Sequence, residues 1–188
     1  MIEKLKKHLT ALKLDEQVIS DLLRLFREKK YRKDQYYSVA GRSFPRLGFI
    51  AEGLLYLYKV DDDGKYTVVD FKWENHFFLE SFDPEGQSAV NVKTLANTIV
   101  LEADYQQIEL LYKKYPDLSA LARKDSKKRL KDIYARLEFF TSNEAGKRYA
   151  GFLNDYHDIA GQIPQYLIAS FLGITPTQLS RIRKNVNF

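Results

Sequence analysis

The sequence predicts an α+β protein with helical segments at both ends and a β-rich region between them. Apolar residues recur at helical spacing in the first 26 residues and again after residue 104. Between about residues 31 and 103, short runs rich in Val, Ile, Tyr and Phe alternate with turn signals. A chain of 188 residues can therefore hold two small domains, one mainly β and one helical.

The first 26 residues predict a helical arm. Apolar side chains recur every three or four residues, with an interruption between Lys13 and Asp15. Charged residues are interspersed, so the segment lacks the continuous apolar stretch of a signal peptide or a membrane span. We therefore expect a cytoplasmic protein that contacts no membrane.

The clearest β signal is a hairpin over residues 54–71. Two runs, residues 54–60 and 65–71, flank an Asp-Asp-Asp-Gly turn, and Gly64 is expected at positive φ. Similar runs and turns continue to about residue 103. This spacing predicts a compact antiparallel barrel or sandwich.

Helical periodicity returns after Asp104, and a long helix is predicted from about residue 118 to 140, with Pro116 as its start signal. The apolar stripe of this helix has two possible partners. It could pack on the sheet of its own chain, or it could pair with the same helix of a second copy. The stripe consists of Leu130, Ile133, Tyr134, Leu137 and Phe140. A further helix carrying Tyr149, Phe152 and Leu153 is expected to be capped by Thr141 or Ser142.

Residues 165–184 predict a helix-turn-helix. Pro164 opens the first helix, and Ala169 is small where the two helices must approach each other closely. Gly173 suits the positive φ of the turn, and Thr175-Pro176 is an N-cap followed by a helix-starting proline. The start and end of the first helix and the start of the second are therefore defined by sequence.

The outer face of the second helix carries side chains that suit DNA. Gln178 can contact adenine, Arg181 guanine, and Thr177 a thymine methyl group or a phosphate. Residues 159–188 contain three basic residues and no acidic one. The expected DNA-binding residues are Thr175, Thr177, Gln178, Ser180, Arg181, Arg183 and Lys184. A bland αα-hairpin with a solvated cationic face is the alternative.

These features together resemble the Crp/Fnr superfamily of transcription regulators along essentially the whole chain. The resemblance is carried by residues 49–55, the Asp-Asp-Asp-Gly hairpin, residues 163–165 and the helix-turn-helix. It implies a bacterial-type homodimer that binds double-stranded DNA, and it makes RNA polymerase a candidate partner. The implied domains are a cyclic-nucleotide-binding-like β-roll (a double-stranded β-helix) over residues 1–116, a dimerisation helix over 117–141 and a DNA-binding domain over 142–188.

The sequence departs from this family where cyclic AMP would bind. The matching stretch has Glu80 at the position of the ribose-binding acid, but Leu79 replaces a glycine and Ser88 stands near the expected arginine. No arginine occurs between Arg46 and Arg123, so the fork-shaped donor for a cyclic phosphate is missing. We therefore expect that this protein does not bind cyclic AMP in the way that is usual for the family. If the pocket takes another effector, the candidate residues are Phe78, Leu79, Glu80, Ser81, Ser88 and Ala89.

Aromatic residues near this stretch, at positions 71, 73, 77, 78 and 82, could form a remodelled apolar pocket or belong to the core. The absence of cysteine excludes a cysteine-ligated iron–sulfur cluster in this chain. His76 is the one nearby candidate for haem, and a structural role fits it better. We expect no cofactor and no bound metal.

The competing interpretation from another functional class is an enzyme built on a cupin-like barrel. His8, His76 and His157 are too scattered for a metal pair, and no catalytic set is apparent, so no catalytic residue is predicted. A second rival is a β-roll sensor or protein-interaction module whose helix-turn-helix no longer reads DNA. The chain ends four residues after Lys184, so a wing is expected at residues 154–162 or not at all.

Overall fold

A computed structural model describes residues 1–42, 45–79, 87–142 and 144–185. Its helices are α1 Ile2–Ala11, α2 Glu16–Leu25, α3 Tyr105–Lys114, α4 Pro116–Ser142, α5 Ala145–Asp155, α6 Gln165–Leu172 and α7 Pro176–Asn185. Its strands are β1 Arg27–Tyr31, β2 Tyr36–Ser38, β3 Arg46–Glu52, β4 Leu54–Val60, β5 Tyr66–Trp73, β6 Phe77–Leu79, β7 Asn91–Thr94 and β8 Thr98–Asp104. The predicted α+β class is confirmed.

The chain forms two compact units. The first unit comprises Met1–Lys59 and Asp70–Lys124, and the second comprises Val60–Val69 and the chain from Asp125 onwards. The long helix α4 contributes to both. The tip of the β4–β5 hairpin, although it lies early in the sequence, therefore belongs to the unit that contains the two C-terminal helices. The domain boundaries drawn from the sequence stay predictions.

Two four-stranded sheets make up the β-roll, in the orders β1-β8-β3-β6 and β2-β7-β4-β5. Strands far apart in sequence pair antiparallel, as β1 does with β8 and β2 with β7. The predicted hairpin is present, and Gly64 has φ +77° with its N–H donating to the carbonyl of Asp61 at 2.9 Å. The predicted antiparallel β-roll is thus confirmed.

The first strand, β1, was not expected from the sequence. Its residues, Arg-Glu-Lys-Lys-Tyr, are mostly exposed and charged, which is not the composition of a half-buried strand. β1 lies at the edge of its sheet, where charged side chains discourage pairing with other molecules. Its backbone pairing with β8 therefore defines the strand without help from apolar periodicity.

Helices α1, α2 and α3 cover one face of the sheet that contains β3 and β8. The amphipathic spacing in the first 26 residues places apolar side chains of α1 and α2 against the sheet. The buried residues of this cluster are Leu5, Leu9, Val18, Ile19, Leu22, Phe26, Phe49, Ala51, Leu101, Ala103, Ile108 and Leu118. The two N-terminal helices and the break between them are confirmed.

The junction after α4 differs from the expectation. Thr141 and Ser142 lie within α4 and do not cap the next helix; the Thr141 hydroxyl donates to the carbonyls of Leu137 and Glu138 at 3.0 and 3.1 Å. Glu144 is the N-cap residue of α5 instead. The prediction of the cap was wrong because the helical backbone of α4 continues for two residues beyond its apolar stripe.

Phe78 and Gly48 illustrate how tightly the first unit is packed. Phe78 is only 1% exposed, and a Cβ atom added to Gly48 would lie 2.5 and 2.6 Å from two carbon atoms of its ring. Gly48 lies in β3, which pairs with strands on both sides, so its backbone cannot move away. A side chain at position 48 therefore has to displace a buried ring.

We expect Gly48→Ala to lower the free energy of unfolding by about 1–3 kcal/mol, because it overpacks this contact. Gly146→Ala is the control, since a Cβ there meets nothing within 4 Å and the residue lies in α5, where alanine is the better helix former. Urea denaturation of both variants gives the comparison. Equal stability of Gly48→Ala and the unmodified protein would contradict the packing described.

Candidate nucleic-acid interface

Helices α6 and α7 form the helix-turn-helix that the sequence predicts. Gly173 ends α6 in the left-handed conformation with φ +66°, and the N–H of Ile174 donates to the carbonyl of Ala169 at 3.0 Å. A side chain with a Cβ atom would be strained at that φ. The turn therefore depends on a glycine, and this prediction is confirmed.

The inner face of the motif is buried as expected. Leu179 and Ala169 are both 0% exposed, so the first turn of α7 packs closely against the middle of α6. Ile182 is half-buried. The other buried residues of α6 are Leu167, Ile168, Phe171 and Leu172. The apolar side chains thus fix which face of α7 points outward.

Phe171 anchors α6 within the second unit. Its ring lies 5.5 Å from that of Phe152 in α5 and 5.9 Å from that of Phe140 in α4, measured between centroids. The guanidinium of Arg136 lies 4.0 Å from the centroid of the Phe171 ring. Three helices therefore meet at one aromatic side chain.

The outer face of α7 and its cap are exposed. The exposed residues are those predicted to bind DNA, namely Thr175, Thr177, Gln178, Ser180, Arg181, Arg183 and Lys184. Arg181, Arg183 and Lys184 make no ion pair among the residues that the structure describes. The predicted residues are thus all accessible to solvent, and Thr177, Ser180, Arg181 and Lys184 share one face of α7 by their spacing.

Gln178 has a role that the sequence analysis missed. Its side-chain oxygen accepts hydrogen bonds from the N–H and the hydroxyl of Thr175, at 3.0 and 3.2 Å. In return, the N–H of Gln178 donates to the Thr175 hydroxyl at 3.1 Å. Thr-x-x-Gln is a known signature of a reciprocal cap at a helix start, so the sequence did contain the signal.

Ser170 joins α6 to the β4–β5 hairpin within the second unit. Its hydroxyl accepts from the N–H of Val68 at 3.0 Å and donates to the carbonyl of Tyr66 at 3.1 Å. β5 is an edge strand of its sheet, so these two backbone groups lack a neighbouring strand. The serine satisfies both. No local sequence signal identifies this contact, because its partners lie about one hundred residues earlier.

The region expected to hold a wing, residues 154–162, contains the end of α5, a turn and a short 3₁₀ helix over Ala160–Gln162. None of the described residues after β8 forms a strand. Residues 154–162 therefore contain no strand that could serve as a wing.

The stretch expected to hold an effector is only partly described. Glu80 and Ser81 lie outside the described residues. Leu79 ends β6, Phe78 is part of the buried core and Ala89 is exposed. The side chain of Phe78 therefore faces the packed interior of the first unit.

Ser88 is 4% exposed, and it donates hydrogen bonds to backbone carbonyl groups. Its hydroxyl donates to the carbonyl of Val90 at 2.8 Å, and its N–H donates to the carbonyl of Arg42 at 3.0 Å. Its side chain is thus already engaged where a phosphate-binding arginine was expected from the family.

Arg46 is held by a buried carboxylate. Its guanidinium donates to Glu102 at 2.6 Å, and the Tyr31 hydroxyl also donates to Glu102, which is 5% exposed. Burial and the neighbouring carboxylate raise the pKa of Tyr31. Lys29 also lies near Glu102, at 3.9 Å, but releasing Arg46 would remove the closer of the two cations from this buried carboxylate, which is costly. Arg46 is therefore a structural residue rather than a replacement phosphate ligand.

Among the described residues, the aromatic side chains near the stretch that was matched to the cyclic AMP site do not share one pocket. The Phe77 ring lies 5.0 Å from Phe49 in the helix-covered core, whereas Phe78 faces Tyr37 with a centroid distance of 4.9 Å. The phenyl group of Phe71 is fully buried. Position 82 lies outside the described residues. The core alternative accounts for Phe71, Phe77 and Phe78, whereas Trp73 is half-buried and lies near His76.

His76 is held by its own turn. Its Nδ1 lies 3.2 Å from the carbonyl oxygens of Trp73 and Glu74, and its ring centroid lies 3.9 Å from that of Trp73. Burial lowers its pKa. Within the part of the chain that the structure describes, no group of three His, Asp or Glu side chains could hold a metal ion.

Four residues of the α4 stripe are exposed in the single chain. Leu130, Ile133, Tyr134 and Leu137 have exposed fractions of 53%, 59%, 64% and 60%. Phe140 differs, because it is half-buried against Phe171. Packing on a sheet of the same chain does not account for the first four.

No helix in the described ranges is long and apolar enough to cross a membrane.

The arrangement of a β-roll followed by a long helix and a helix-turn-helix is the Crp/Fnr-type fold. FixK2 from Bradyrhizobium japonicum superposes with a TM-score of 0.75 at 18% identity, over 85% of this chain and 83% of that one. The c-di-GMP responsive global regulator CLP from Xanthomonas campestris gives 0.72 at 16% identity, over 91% of each chain. A protein from Eubacterium rectale, assigned to the crp/fnr family of transcriptional regulators, gives 0.71 at 15% identity, over 92% and 83%.

The sequence itself matches no family model and no curated protein. The solved structures named above share fewer than one residue in five with this chain. The likeness therefore concerns the fold.

Ser170 provides a test of how α6 is held. Ser170→Ala removes the partner of the Val68 N–H and the Tyr66 carbonyl, and we expect it to lower the free energy of unfolding by about 1 kcal/mol. Ser170→Thr keeps the hydroxyl and is the control. Chemical denaturation followed by circular dichroism measures both. Identical midpoints for the alanine variant and the unmodified protein would contradict the contact.

Proposed function

We propose that this protein is a DNA-binding transcription regulator that reads the major groove with α7. The observation that carries the proposal is the exposed face of α7, where Thr177, Ser180 and Arg181 lie beside the cation Lys184. Hydroxyl, guanidinium and ammonium groups are the donors that contact base edges and phosphates. The fold shared with known regulators supports the same conclusion.

The electrostatics of the motif favour a phosphate backbone. Residues 159–188 contain three basic residues and no acidic residue, so approaching DNA meets only positive side-chain charge in this segment. Each neutralised phosphate releases counterions, which makes the affinity depend on salt concentration. The formal net charge of +5 adds a weaker attraction at longer range.

We further propose that the regulator acts as a homodimer through α4. The exposed residues Leu130, Ile133, Tyr134 and Leu137 recur at the three- and four-residue intervals of a helix–helix contact. Two copies related by a twofold axis would present two copies of α7 to a roughly palindromic site. RNA polymerase is the candidate partner for activation.

Cyclic AMP is not the proposed effector. Arg46 is engaged by Glu102, Ser88 by its own turn, and Leu79 stands where a glycine would let a phosphate approach the backbone. A sensor or interaction module without DNA binding is the second candidate. No enzyme activity is proposed, and the protein is proposed to work in the cytoplasm.

We expect Arg181→Glu to abolish selective DNA binding, because it replaces a donor for guanine with an acidic group facing phosphates. The loss should exceed 100-fold at physiological salt. Lys7→Glu is the control, since it makes the same change of charge on an exposed residue of α1. Sequences selected from a random pool by the unmodified protein serve as probes in a mobility-shift titration. If the Arg181 variant still binds them with unaltered affinity, the assignment of α7 is wrong.

Adding cyclic AMP during the same selection tests the proposed insensitivity. We expect the same enriched sequences and affinities within about twofold, because no arginine occurs between Arg46 and Arg123 and Arg46 is engaged by Glu102. A strong requirement for the nucleotide would contradict the proposal.

The α4 stripe is tested by Ile133→Glu combined with Leu137→Glu. Both side chains are exposed in the single chain, so the substitutions should leave the protomer folded while placing charges in the proposed dimer contact. Sedimentation analysis is expected to show a monomer with lower affinity for a palindromic site. Lys128→Glu, on another face of α4, is the control. A dimer that survives in the double variant would exclude this contact.

A further inference from the structure

The start of α7 is fixed by a reciprocal pair of hydrogen bonds. The Thr175 hydroxyl accepts from the N–H of Gln178, while the Gln178 side-chain oxygen accepts from both the N–H and the hydroxyl of Thr175. A backbone N–H can only donate, so it is the oxygen of the amide group that must face Thr175. This arrangement satisfies two of the otherwise unpartnered donors at the beginning of the helix.

This engagement competes with reading a base. A bidentate contact to adenine requires the amide oxygen to accept from the base and the amide nitrogen to donate to it. An amide oxygen has two lone pairs, and Thr175 already occupies both. Gln178 could turn towards adenine only by releasing the cap of the helix that carries it.

Thr177 and Arg181 are placed differently. They are four residues apart, so they lie on the same face of α7, and both are exposed. Neither side chain makes a hydrogen bond or an ion pair among the residues that the structure describes. Both can therefore turn towards a base without breaking a contact within the protein.

We propose that Gln178 is a positioning residue that fixes the start of α7 through Thr175, and that base discrimination by this helix falls to Thr177 and Arg181. The inference rests on the proposed DNA-binding function. It replaces the expectation that Gln178 reads adenine.

Gln178→Glu separates positioning from reading. A glutamate keeps acceptor oxygens for Thr175 and adds negative charge in the first turn, which favours the helix start. If Gln178 contacted a base directly, the same substitution would change the preferred base from adenine to cytosine. We expect selection from a random DNA pool to return the same consensus for the variant and the unmodified protein, with affinity lowered alike for all sequences. A change from adenine to cytosine in each half-site would overturn the inference.

Gln178→Leu removes the acceptor altogether. Loss of a cap typically costs enough to lower affinity about 2- to 30-fold, and we expect this loss to be the same for every sequence tested. Thr175→Val should give a similar loss, and the double variant should lose little more, because each residue acts through the other. Additive losses, or a loss restricted to one base pair, would overturn the inference.

Arg181→Lys is the reference for direct reading, and we expect it to relax the consensus at one position in each half-site. Thermal unfolding of each variant checks that the protein is folded. If the unmodified protein enriches no sequence, the proposed function fails and the inference fails with it. If it enriches a consensus that changes with Gln178→Glu, the inference alone fails.

Discussion

The ring of Phe171 is the contact on which the second unit depends. It packs against aromatic rings from α4 and α5 while belonging to α6, and Arg136 lies over its face. An aromatic side chain is suited to this position because it buries a large area and accepts ring and cation contacts with defined geometry. The face of α6 that receives α7 is thereby fixed, and so is the face of α7 that points to solvent. A contact inside the second unit, which DNA would not touch, therefore determines which surface of α7 is available to DNA.

The predictions from sequence succeeded where the signal was local and periodic. Gly173, Thr175 and Pro176 define the turn and the start of α7 through backbone preferences that act over a few residues. The amphipathic helices at the N-terminus and the hairpin around Gly64 were identified for the same reason.

The failures share a different physical cause. β1 is a charged strand that exists because β8 pairs with it, and Phe140 leaves the α4 stripe because Phe171 is nearby. Arg46 pairs with Glu102, which lies 56 residues later in the chain. Each depends on a partner that periodicity does not reveal. Gln178 is an exception, because its cap could have been read from the spacing to Thr175.

The hydroxyl of Ser170 bonds to a carbonyl that lies 104 residues earlier in the chain. The second unit is therefore discontinuous in sequence, and a fragment beginning at Asp125 would lack the backbone groups of Tyr66 and Val68 that this serine binds. During synthesis, the hairpin leaves the ribosome long before α6. The backbone groups at its edge can bond to Ser170 only after about one hundred further residues have been made. Such long-range contacts close slowly because a large loop has to be ordered first. The helix-turn-helix thus completes this contact only in a chain that also carries the β-roll hairpin.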